Sequence, residues 1–330
     1  MQDLIVKRAS IGDMYLALRR GRAGNIIVLF VVVQVTAIVC AILFPDVFRY
    51  LDQSNIQLML KAIPSLVIIT LGVNLLMIAG EFDLSVGATF TFTALVMAKI
   101  FNAHFPIAIA VPAALILGAG IGLLNGFIVV KTNVPSFIVT LGAMWFWRGV
   151  ILIVSQAVTE SFYPSVFFTN LFTLNVGPIQ IQFVWALLIA VVCWFLLERH
   201  KVGNFFFGVG GNRSAASALG VNVGRVKMIA FGITGFLTAF AGIMSTVRIN
   251  SISPIQGEGL ELQAIAACVI GGTALMGGKG TILGAFLGAA LMFTIQDILL
   301  LLQAPGFYLR MFVGIVIVIA AALNELLKKE

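Results

Sequence analysis

The sequence predicts an all-α, polytopic membrane helical bundle of about ten transmembrane helices, with both termini cytoplasmic and some spans short or broken. Three observations predict it. Of 330 residues, 61% are hydrophobic and only 10% are charged, whereas a soluble globular chain carries roughly 25% charged residues. Apolar runs reach the roughly 17–25 residues needed to cross hydrocarbon. The lysines and arginines behind the net charge of +7 sit at the ends and between apolar runs. There they act as topology determinants and are not a nucleic-acid signal.

Ten apolar runs read as spans, at about 25–44, 62–80, 84–101, 106–130, 134–154, 181–197, 228–247, 262–277, 281–301 and 307–327. The second, third and eighth are short or interrupted by glycine, which allows broken or re-entrant segments as well as full crossings. The first 24 residues are polar and basic, and the run after them is a full span without a small-residue cleavage site, so a cleavable signal is not expected. Residues 1–24 are expected as a cytoplasmic segment and 25–330 as one transmembrane domain. Cys40, Cys193 and Cys268 all fall inside apolar runs and read as small buried hydrophobes.

Basic residues set the orientation. Lys7, Arg8, Arg19, Arg20 and Arg22 precede the first span. Arg199, Lys201, Arg213, Arg225 and Lys227 occupy a long loop at about 198–227, and Lys328 and Lys329 end the chain. All three groups are expected on the cytoplasmic side. Even numbers of spans separate them, which agrees with ten crossings. The segment 155–180, with Glu160 and no Lys or Arg, and the loop 248–261 then fall outside.

Several groups stand out within this frame. Gly118, Gly122 and Gly126 recur every four residues, as do Gly280, Gly284 and Gly288. Each set is expected to form a smooth helix face for close packing. Glu81 and Asp83 lie between apolar segments, where an acidic group costs on the order of 2.5–3.5 kcal/mol at a helix centre. Asp83 and Ser85 fit either a cap on the following helix or a place on the solute path. Arg148, beside Trp145 and Trp147, fits either an interfacial belt with a snorkelling arginine or a pathway wall. Gln34, Asn74 and Asn125 are polar residues within spans, for which helix-to-helix hydrogen bonding is the first explanation.

Gly271-Gly272-Thr273-Ala274-Leu275-Met276-Gly277-Gly278-Lys279-Gly280 fails as a phosphate loop. Thr273 stands where the first glycine belongs, and Gly280 where a Ser or Thr should follow the lysine. The chain is therefore not expected to bind ATP itself. Asn212 is placed to cap a short helix through Arg213, Ala215, Ala216 and Leu219, with Gly220 as its stop. Its alanines offer little grip on a membrane, so docking on a partner is the stronger reading. His104 and His200 are isolated, and no grouping suggests nucleophilic catalysis, a metal site or a cofactor.

The chain resembles the permease subunits of bacterial ABC importers of the ribose/xylose/arabinose/galactose type, with a more distant relation to branched-chain amino acid permeases. The resemblance runs from about residue 50 onward. It rests on four motifs in order: Gly80–Gly87; Val134–Gly142 followed by Arg148-Gly149; Gly208–Asn212 with Ala215-Ala216 and Leu219–Val221; and Glu261–Ala267 with Val269–Thr273 and Gly277–Gly280. It implies a two-permease path in the inner membrane, set among membrane lipid. A periplasmic binding protein would deliver a sugar, and a cytoplasmic ATPase would supply the energy, so the chain is not itself an enzyme. It also implies that the helix at 212–220 is the coupling element resting on the ATPase. Gln263 departs from the family, which often carries an acidic residue there. The cargo is thus an aldopentose, a hexose, a polyol or an autoinducer-like molecule. An amino acid or nucleoside permease of the same architecture is the alternative. An ion-coupled transporter would place ionisable groups deep in several spans, and here Asp297, towards a span end, is the clearest acidic candidate.

Overall fold

The computed structural model describes residues 24–176 and 179–326. Seven helices among them are long and apolar enough to cross a membrane. They are α1 (Gly24–Leu43), α2 (Gln53–Ile78), α4 (Ile107–Thr132), α5 (Ser136–Ser155), α7 (Ile181–Glu198), α10 (Val223–Ile249) and α12 (Ile282–Leu301). Three more are apolar but shorter or apolar over part of their length: α3 (Val86–Asn102), α11 (Leu260–Ile270) and α13 (Phe307–Leu326). All ten apolar runs of the sequence thus fall on helices. This is the expected state for an apolar segment in lipid, because a helix satisfies its own backbone groups. The basic residues before position 24, and Lys328 and Lys329, lie outside the described residues.

Three small helices complete the described set: α6 (Val166–Thr173), α8 (Lys201–Gly211) and α9 (Arg213–Ala218). Of these, only α9 is foreseen by its sequence. The glycines of α8 hide it from a propensity reading. Gly203 packs on the backbone of Leu197, and Gly210 packs on Ile78 and Gly278, so tertiary contact outweighs propensity. The expected span 262–277 ends early: α11 stops at Ile270, and Gly272, with φ 86°, turns the chain away. At 11 residues, α11 is about 16 Å long, roughly half the hydrocarbon thickness.

α10 is the central helix. Of its most apolar stretch 67% is buried within the chain, against 11% for α5. α10 packs on α2, α3 and α4. Thr234 on α10 donates to Gly72 O of α2 at 3.0 Å. Gly118, Gly122 and Gly126 of α4 all face α10, meeting Gly235, Phe231 and Met228, so the two backbones approach closely. Gly284 and Gly288 of α12 similarly face Gly271 and Ala267. Gly280 differs from the expectation. It precedes α12 and lies against Ile78 and Thr273, so it belongs to the turn and not to the helix face.

Two antiparallel strand pairs lie in the connections. β1 (Glu160–Ser161) pairs with β4 (Ser251–Ile252), and β2 (Asn175–Val176) pairs with β3 (Ile179–Gln180). Glu160 is clamped there, by Lys99 at 2.6 Å and Asn102 at 2.6 Å. From β4 the chain runs through residues 253–259 into α11, and Gly257 N–H donates to Thr91 Oγ1 of α3 at 3.0 Å.

Candidate functional site

The segment between α2 and α3 is non-helical yet buried, so each backbone donor needs a partner. Gly80, with φ 82°, turns the chain out of α2. Phe82 N–H then donates to Ser136 Oγ and Leu84 N–H to Thr140 Oγ1, both at 3.0 Å and both from α5. Ser85 N–H and its hydroxyl donate to Asp83 Oδ1 at 2.7 and 2.6 Å. Asn125 of α4 donates to Ser85 Oγ at 2.9 Å. Asp83 therefore closes a local turn of the Asx kind. No side chain caps α3, so the cap expected of Asp83 or Ser85 is replaced by this turn. The structure accounts for the Val134–Gly142 motif as well, since Ser136 and Thr140 satisfy the irregular segment.

Glu81 sits at the start of this segment and is 3% exposed. Its Oε1 accepts from Arg213 at 2.7 Å and from Lys227 at 2.6 Å. Arg213 also donates to Gly80 O at 3.0 Å. One buried carboxylate thus ties together the α2–α3 connection, α9 and the first turns of α10.

α9 is short and displayed. Asn212 Oδ1 caps it by accepting from Ala215 N–H at 2.9 Å, and Gly220, with φ 82°, ends it. Ala216 is buried against the bundle, whereas Ala215 and Leu219 are exposed, Leu219 by 84%. The Gly-rich turn lies beside it. Gly277 and Gly278 have φ of 85° and 72°, and side chains there would strike Gly80, Gly210 or Gly211. Gly278 N–H donates to Ile78 O at 2.9 Å. Asn74 of α2 braces the same turn, donating to Thr281 O at 3.3 Å and accepting from Thr273 at 2.6 Å. These glycines serve backbone contact.

A second polar centre lies between α5 and the 254–261 segment. Arg148 does not snorkel away from the bundle. Its Nη1 donates to Pro254 O at 3.4 Å, and its charge interacts with Glu261 and Glu258. Trp147 follows it inward and stacks on Phe92, with centroids 4.8 Å apart. Trp145 points outward and is 70% exposed, so the structure separates it from Arg148. Glu261 Oε1 accepts from Gly259 N–H at 3.2 Å. Its Oε2 has no hydrogen-bond partner among the described residues.

Gln263 lines a cavity of about 280 Å³ between α2, α3, α10, α11 and α12, with Ser65, Arg248, Gln256, Glu258 and Gln296. A wider recess of about 800 Å³ opens beside Glu198, Asn204 and Lys279. Among the described residues no group of three His, Cys, Asp or Glu is placed to hold a metal.

Sequence reasoning did not single out Lys227, Arg248 or Glu261 as site residues. A lysine at a helix start and an arginine in a last turn look like topology signals. Glu261, the acid in the first turn of α11, was legible only as part of a motif.

The chain is similar to known membrane permeases over most of its length. A family model described as branched-chain amino acid transport system / permease component matches residues 55–321. The ribose import permease protein of Haemophilus influenzae is 31% identical over 90% of this chain and 92% of its own length. The D-allose transport system permease protein of Escherichia coli is 33% identical over 89% and 91%. The autoinducer 2 import system permease protein of Salmonella choleraesuis is 32% identical over 85% and 81%. No solved structure gives a significant match.

Proposed function

The chain belongs to the permease family described as branched-chain amino acid transport system / permease component, and from that premise we propose that it is the transmembrane subunit of an ATP-driven importer for a sugar or sugar-like solute. Support for the cargo comes from relatives named for ribose, allose and autoinducer 2. In this reading residues 25–330 form one inner-membrane domain of ten crossings, with both termini cytoplasmic. A periplasmic binding protein delivers the solute, a second permease subunit completes the path, and a partner ATPase hydrolyses ATP.

One observation carries the coupling role: the Arg213–Glu81 contact. The exposed side of α9, with Ala215 and Leu219, meets the ATPase. Arg213 passes the displacement to Glu81, and the Asp83–Ser85 turn passes it to Asn125 and α3. Ala216 faces inward and is no part of the docking surface.

The test is reconstitution with the ATPase and binding protein in proteoliposomes. ATP-dependent uptake of D-ribose or D-allose is expected, and L-leucine uptake in its place would favour the amino acid reading. Uptake by this chain alone on a sodium or proton gradient would overturn the proposal. Leu219→Asp should abolish co-purification of the ATPase while the membrane part stays folded. Normal co-purification would remove α9 from the coupling role.

A further inference from the structure

We propose that the cavity between α2, α3, α10, α11 and α12 is a resting site for a neutral monosaccharide in transit, an inference that rests on the sugar-import reading above. The first ground is unspent hydrogen-bonding capacity. Ser65 Oγ and Arg248 Nε are buried and have no partner among the described residues. An orphaned buried polar group costs about 1–3 kcal/mol, and both belong to side chains that line this cavity. Gln256, by contrast, is already fixed. It donates to Ser245 at 3.1 Å and accepts from Ser253 N–H at 3.2 Å, which makes it a rigid wall.

The second ground is the match of chemistry. The carboxamides of Gln263 and Gln296 each offer a donor pair and an acceptor, suited to neighbouring hydroxyls. Arg248 and Glu258 bring one charge of each sign, so a solute of net charge gains little. Phe90 and Phe293 on the walls give apolar faces for the C–H side of a sugar ring.

The third ground is size and position. A volume of about 280 Å³, the liquid share of on the order of nine waters, has room for one monosaccharide. The lining includes Arg248 in the last turn of α10 and Gln263 on the half-length helix α11. The site therefore lies where the turns of residues 253–259 give way to helix.

The experiment uses the assembled complex of permease, ATPase and binding protein in proteoliposomes, with labelled D-ribose, D-allose and L-leucine as probes. Gln263→Leu and Gln296→Leu should each lower sugar uptake about tenfold or more in complexes that assemble normally, with Gln263→Asn retaining a substantial part. In a Gln296→Cys complex, millimolar sugar should slow thiol modification several-fold, a readout that a merely structural role would not move. Sugar uptake by the unaltered complex with both leucine variants within twofold of it, or with no sugar protection of the cysteine, would overturn the site alone. Protection by L-leucine and not by sugars would overturn the monosaccharide assignment. An unaltered complex that takes up neither sugar would overturn the sugar reading itself.

Discussion

Arg213 donates to Glu81 at 2.7 Å across 132 residues of sequence, and it does so from the surface into a buried site. The side chain of Arg213 is 54% exposed, whereas those of Glu81 and its second partner Lys227 are 4% and 11% exposed. The two cations therefore differ in what they contribute. Glu81→Ala leaves Lys227 buried without a counter-charge and is expected to cost about 3–5 kcal/mol. Arg213→Ala should cost less than about 1 kcal/mol, because its exposed head is screened by solvent. Thermal unfolding of the detergent-purified chain should rank the variants in that order.

Thr140 supplies a hydroxyl to Leu84 N–H. Thr140→Val keeps the shape but orphans a buried donor, so a loss of about 1–3 kcal/mol is expected. Thr140→Ser should recover most of it. Equal stability of the valine variant would mean that water replaces the hydroxyl.

Two glycines in the matched motifs should behave oppositely. A Cβ on Gly87 would collide with Gly257 O and the Glu261 carboxylate, whereas one on Gly142 meets nothing within 4 Å. Gly87→Ala is expected to destabilise by about 1–3 kcal/mol or more. Gly142→Ala should be neutral or should stabilise α5 by up to about 1 kcal/mol. Unfolding midpoints of the two variants in detergent check the contrast.

The β1–β4 clamp should open with acid. Burial raises the pKa of Glu160, but hydrogen bonds from Lys99 and Asn102 and the charge of Lys99 bring it below its ordinary value. A carboxyl with a lowered folded-state pKa contributes stability above its unfolded value, about 4.3, and loses it as pH falls through the folded value. Hydrogen-exchange protection around Glu160–Ser161, taken relative to intrinsic exchange rates, should therefore fall at low pH. Lys99→Met should shrink that pH dependence. The partly exposed pair holds no more than about 1 kcal/mol.

Hydropathy made the ten apolar runs legible because a lipid-facing helix must be apolar over its length. The Asn212 cap and the Gly220 stop were legible because both are local. What was not legible depends on rotation or on distant partners. Arg148 turning inward while Trp145 turns outward is a matter of helix phase. The shortness of α11 and the presence of α8 follow from glycine contacts made with other elements. Ser136 and Thr140 read as ordinary span residues until the segment that they satisfy is in place.

The Glu81 contact also bears on the order of synthesis. Its cations come from residues 213 and 227, so the carboxylate just after α2 has neither partner while the first spans are being made. Arg213 follows 132 residues later, a wait on the order of 10 s at usual elongation rates of about 5–20 residues per second. Until the second half of the chain arrives, Glu81 lacks both of the cations that it meets in the folded protein. A chain truncated before α9 would display an unpaired acid to membrane quality control.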